Sequence, residues 1–171
     1  MTVTRLLLAL DFLHTEARVI HGVLKTDNVM LSIEDDGMLA DSAKAEKSRK
    51  FRRPDKAKGY GLPTLCDFGE SRIGASQESD PFVQPHIYRA PEVMFDMPWG
   101  SAADIWNLAG LVSTWIASED AVVPLLSLDS LEKQLSGEEK QLFIRFIRSM
   151  LKWLPEERST AKQLLKDPWL L

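Results

Sequence analysis

His21-Gly22-Val23-Leu24-Lys25-Thr26-Asp27-Asn28, running into Val29-Met30-Leu31, is the stretch from which the fold of this chain can be read. The first eight residues are too polar and too irregular for a helix or strand and make a loop, while the apolar triplet has the character of a short buried strand. Upstream, Val3, Leu6, Leu7, Leu10 and Leu13 keep the three-and-four spacing of one helical face, so a helix delivers the chain to the loop, ending near His14. Downstream, residues 34–61 turn polar and basic without a sustained period and read as an insert. Leu62 to Cys66 then resumes a strand-like apolar run that ends on Asp67.

The remaining two thirds of the chain read as helical. Ala102, Ile105, Trp106, Leu108, Leu111 and Trp115 make the segment Ser101–Ala117 apolar on nearly every side, which predicts a helix at the centre of the core. Ser136-Gly-Glu-Glu139 has the form of a capping box and predicts a helix start. Leu142, Phe143, Phe146, Ile147, Met150 and Leu151 continue that helix, which has to end before Pro155. Thr160 with Gln163 predicts a last capped helix, stopped by Pro168. The expected fold class is mainly α with short β-strands, in one domain over residues 1–171.

Composition narrows the function classes. With 44% hydrophobic and 27% charged residues the chain can bury a core, and a formal net charge of −4 gives no overall pull toward nucleic acid or anionic lipid. The longest apolar stretch, Ile105–Ala117, is interrupted by Asn107, Ser113 and Thr114 and is too short to span a bilayer. Cys66 is the single cysteine, so an internal disulfide is excluded. No signal segment is read, and the expected location is cytoplasmic, nuclear or both. The basic run from Lys44 to Lys56 reads as a solvated insert rather than a nuclear-import or nucleic-acid patch, because Phe51 is the lone aromatic among its charges.

Four marks follow one another: His21-Gly-Val-Leu-Lys25-Thr-Asp-Asn28, Asp67-Phe68-Gly69, Ala90-Pro91-Glu92, and Asp104-Ile-Trp-Asn-Leu-Ala-Gly110. In this order they resemble the protein-kinase signature from the catalytic loop onward. Within that superfamily, GLPTLCDFGESRIG, HIYRAPEVMFDMPWG and ADIWNLAG are similar to the SR-protein kinases, in particular the fungal ones. The resemblance implies a serine/threonine kinase using Mg-ATP, with Asn28 and Asp67 as metal and cofactor ligands. Phe68 and Gly69 would orient Asp67, and Lys25 would neutralise charge on the transferred phosphoryl group. His21, Glu92, Asp104 and Arg158 are implied to be structural, Arg158 pairing with Glu92. His14, His86 and Cys66 receive no function.

Three departures qualify that inheritance. Val23 stands two residues after His21, where the family places the aspartate that accepts the substrate hydroxyl proton, and valine cannot take one. Asp27, before the asparagine, reads as a loop-stabilising residue and not as a replacement base. The Gly-rich loop, the V-A-I-K lysine and the helix C glutamate would all precede Met1, so the expectation is a carboxy-terminal lobe whose amino-terminal lobe is absent, holding Mg-ATP poorly and exposing an apolar face. Residues 118–136 are shorter than the family's substrate-docking segment, and Gly22 replaces the arginine of kinases switched on by activation-loop phosphorylation. The resulting expectation is an impaired SR-kinase-like domain, the alternative being a genuine pseudokinase that works by interaction. Its expected partner is a protein, Arg/Ser-rich in the SR-kinase reading; no membrane is expected, and nucleic acid ranks last.

Overall fold

The computed structural model describes residues 2–33, 44, 60–78, 83–116 and 135–171. The basic run beyond Lys44 and nearly all of the segments 34–61 and 118–136 lie outside the described residues. Helix α1, Thr2–Phe12, buries Leu6, Leu7 and Leu10, while Val3 and Leu13 pack at the margin of the same core, as their spacing predicts. Its end departs from that reading: Leu13–Ala17 widens into a π-turn, and Arg18 closes it at φ 53° with its amide bonded to the carbonyl of Leu13. This turn sends the chain into β1, Val19–Ile20, and carries His14 inward.

Strand β2, Val29–Ile33, pairs antiparallel with β3, Tyr60–Leu65, in the register Val29↔Leu65 and Leu31↔Pro63, with an irregularity between Leu31 and Ile33. The expected strand at 62–66 therefore begins two residues earlier and stops before Cys66. This pairing brings the end of the polar loop beside Asp67, since Cys66 N–H bonds the carbonyl of Asn28 at 2.9 Å. Two smaller pairs follow: β1 with β4, Arg72–Ile73, and β5, Ser76–Gln77, with β6, Trp99–Gly100. The short helix α2, Pro91–Met94, lies between the last of these strands and starts on proline, which is suited to a first turn whose amides have no helical partner.

Helix α3, Ser101–Ile116, is the central element that its composition predicts. Ile105, Leu108, Ala109, Leu111 and Val112 join the main core with α1 and the later helices, while Ala103 joins a second cluster of Ile20, Val83, Ala90, Val93 and Trp99. One buried helix thus ties together two packing units. Helix α4, Gly137–Met150, buries Phe143, Ile144, Phe146, Ile147 and Met150. The capping box expected at its start does not form. Ser136 makes no side-chain cap bond, because Gly137 turns through φ 60° and redirects the chain before the first helical turn. The second box does form, ahead of α5, Ala161–Leu164: Gln163 N–H donates to Thr160 Oγ1 at 3.3 Å and Thr160 N–H to Gln163 Oε1 at 2.8 Å. Trp169 closes the core with ring centroids 5.1 Å from Phe143 and 4.8 Å from Phe146. Mainly α with short strands describes the result.

Candidate catalytic-loop site

The loop from His21 to Asn28 has little secondary structure of its own, so its backbone amides need outside acceptors. Helix α3 supplies them. Asp104, fully buried, accepts from His21 N–H at 2.8 Å through Oδ2 and from Gly22 N–H at 2.9 Å through Oδ1. One turn on, Asn107 Oδ1 accepts from Leu24 N–H at 2.6 Å while its Nδ2 donates to the carbonyl of Tyr88 at 3.3 Å. A polar pair inside an apolar helix is costly unless fully bonded, and here the bonding is what shapes the loop.

His14 completes this arrangement, its Nε2 lying 2.9 Å from Asp104 Oδ2. No local pattern marks His14 for this role, since its partner is 90 residues away. Asn107 and Gln84 were also missed. Gln84 sits at φ 69°, accepts from Ala90 N–H and donates to Ala103 O, both at 2.8 Å, joining the segment before α2 to α3. The only available clue was for Asn107, three residues after Asp104 and hence on the same helical face.

His21 has both ring nitrogens engaged: Nδ1 accepts from Val23 N–H at 3.3 Å and Nε2 reaches Cys66 O at 3.0 Å. The network fits the tautomer with its proton on Nε2, and the ring also packs edge-on to Phe68 at 4.9 Å. That geometry suits a tie between the loop and the Asp67 turn. Asn28, 4% exposed, donates from Nδ2 to Val23 O at 2.9 Å. Asp67 is exposed at φ 64°, a left-handed conformation that aspartate tolerates, and its Oδ1 accepts weakly from Gly69 N–H at 3.4 Å. Val23 and Lys25 are half-buried in the loop, and Asp27 is exposed.

The donor chemistry of Asn28 and Asp67 fits a magnesium ion. Asn28 Oδ1 is left available by the bond its Nδ2 makes, Asp67 offers an exposed carboxylate, and magnesium commonly takes only one or two protein oxygens beside phosphate and water. No group of three or more His, Cys, Asp or Glu side chains able to hold a metal occurs among the described residues.

Gly22 bears directly on this loop. It adopts φ 80°, and a Cβ there would lie 3.0 Å from the carbonyl oxygen of Glu70. Gly22→Ala is expected to lower stability by about 1–2 kcal/mol, from the left-handed penalty and the crowding at Glu70, read as a lower urea midpoint with unchanged slope. An unchanged midpoint would mean that the loop relaxes freely.

Away from the loop, Glu92 and Arg158 form a bidentate pair, both oxygen to nitrogen distances 2.6 Å, with side chains 2% and 0% exposed. Arg158 also donates to the carbonyls of Ala102, Lys152 and Trp153 and stacks 4.9 Å from the Trp106 ring. All five guanidinium donors are therefore bonded. The pair joins α2, the start of α3 and the turn after α4.

Residues 1–170 match the family model of the protein kinase domain. The chain belongs to the protein kinase family. Two strains of Aspergillus fumigatus carry a serine/threonine protein kinase 35% identical over 224 residues, covering 98% of this chain and 56% of that protein. The rice serine/threonine-protein kinase Nek6 is 29% identical over 178 residues, covering 98% of this chain and 28% of its own length, and human serine/threonine-protein kinase 10 is 29% identical over 180. This kinase chain thus spans little more than half the length of its Aspergillus relatives. The 224-residue match also exceeds the 171 residues here, so those relatives carry residues inside the matched span that this kinase chain lacks.

Proposed function

We propose that the chain acts as the carboxy-terminal lobe of an SR-kinase-like serine/threonine kinase domain, impaired in phosphoryl transfer and engaged with protein partners. The observation that carries this reading is Val23, whose backbone is fastened into the loop through His21 and Asn28 while its side chain offers no proton acceptor. Loss of a general base costs about 10² to 10⁴ in rate. Around the loop, Met30, Leu31, Leu62 and Phe68 are exposed apolar side chains on or beside the β2–β3 pair. A second layer over that surface is what a nucleotide-clamping lobe would supply.

In this reading Asn28 and Asp67, with Phe68 and Gly69 setting the turn, would hold magnesium, and Lys25 would neutralise charge on the transferred phosphoryl group. Mg-ATP, when bound, supplies the phosphoryl group; the chain's own part is to hold and orient it. His21, Asp104, Glu92 and Arg158 keep the geometry of the lobe. A docking segment shortened at 118–136 belongs to the same reading. The substrate or partner class is protein, Arg/Ser-rich by the SR-kinase likeness, in the cytoplasm or nucleus. The second reading, a pseudokinase acting purely by interaction, is favoured by the same valine.

Val23→Asp discriminates between a defect of one residue and a defect of the whole nucleotide site. The variant of the 171-residue chain is expected to transfer no labelled phosphate from Mg-ATP to an Arg-Ser repeat peptide, because these residues include no G-x-G-x-x-G loop or V-A-I-K lysine to clamp the nucleotide. Robust transfer by the variant, with none by the parent chain, would show that these residues hold the nucleotide unaided and leave the base as the one missing part.

A further inference from the structure

Helix α4 has a second face that the core does not use. Gln141, Ile144, Arg145, Arg148, Ser149 and Lys152 line a concave groove of about 340 Å³, and Arg145, Arg148 and Lys152 are all exposed along it. Arg148 and Ser149 lie three and four residues after Arg145 and so share one side of α4 with it, and Lys152, two residues past the helix end, lines the same groove. Ile144, 5% exposed, gives the groove an apolar floor, to which the aliphatic stems of the basic side chains add. On a chain of formal charge −4, Arg145 and Lys152 give this concavity a positive local character. Among the described residues, Arg145 and Lys152 enter no ion pair.

We propose that this groove docks an extended, acidic peptide segment of a partner protein. Carboxylates at alternate positions of an extended peptide recur about every 7 Å, a spacing that flexible basic side chains can follow from the last turns of α4 to the residues just past its end. The intervening residues would lie on the apolar floor at Ile144. A free phosphate fits less well, because the groove runs along the flank and toward the carboxyl end of α4, away from the unbonded amides that cradle such anions. Nucleic acid fits less well again, since among the described residues no aromatic side chain lines the groove for a base to stack on. None of its residues belongs to the loop from His21 to Asn28 or to the Asp67 turn, so the docking surface is separate from the catalytic-loop site.

The test is fluorescence polarisation of a labelled peptide of alternating glutamate and leucine against the whole chain. Saturable binding is expected, weakened at least about tenfold in the double variant Arg145→Glu with Lys152→Glu and for a glutamine-for-glutamate peptide. Both substituted side chains are exposed, and circular dichroism verifies that the variant keeps its fold. Absence of binding, equal binding by the variant, or equal binding of the glutamine peptide would each sink the proposal. Displacement of the peptide by inorganic phosphate or a single-stranded RNA oligonucleotide at comparable concentration would reassign the groove as a general anion site.

Discussion

Arg158→Ala is expected to lower the melting temperature by roughly 6–20 °C, corresponding to about 3–5 kcal/mol for a buried ion pair stripped of one partner. The magnitude follows from what stays behind. Glu92 is 2% exposed as a side chain and receives both guanidinium nitrogens at 2.6 Å, so the alanine variant leaves a carboxylate in the interior without its counter-charge. The carbonyls of Ala102, Lys152 and Trp153 lose a donor at the same time, and Trp106 loses the cation over its ring. Arg158→Lys keeps the charge but not the planar fork and should fall in between. Because the two residues share one bond network, the double variant Glu92→Ala with Arg158→Ala should be less destabilised than the sum of the single variants. Thermal denaturation of the four proteins checks this, and additive losses would show that the pair is not energetically coupled.

Asp104→Ala comes next, with a loss of about 2–6 kcal/mol expected from two buried amides left without an acceptor. The effect should be concentrated on the catalytic loop. His21 and Gly22 amides depend directly on the Asp104 carboxylate, whereas Leu24 depends on Asn107. Hydrogen exchange should therefore rise at His21 and Gly22 in Asp104→Ala and at Leu24 in Asn107→Ala, with the core of α4 less affected in the second variant. Uniform loss of protection through the whole chain in both variants would mean that loop and core open as one unit. Asp104→Asn should be milder, since one amide oxygen can still accept from one of the two backbone donors.

The readable part of the fold was the part written in local pattern. Leu6, Leu7 and Leu10 on α1 and the all-round apolar α3 were visible because helical period and burial coincide. The Thr160 box was visible because its two bonds close within four residues. The Ser136 box looked equally good and fails, since Gly137 can reach φ 60° and thereby changes the direction in which the cap would point. For the site, the motif residues His21, Asn28, Asp67, Glu92, Asp104 and Arg158 could all be named beforehand, yet the bonds that give them their positions could not. His14 had no signal at all: the π-turn after α1 rotates it toward a carboxylate 90 residues away.

By itself, the sequence determined the order of the kinase marks, the identity of the residue at position 23 and the helical faces that form the core, because each depends on which residues are neighbours along the chain. Tertiary structure alone decided that Asp104 and Asn107 hold the loop, that Gln84 bridges to α3, and that Arg145, Arg148 and Lys152 share one groove. These features arise where buried amides and carbonyls take whatever partner packing brings within about 3 Å, and that partner is set by the fold and not by spacing along the chain.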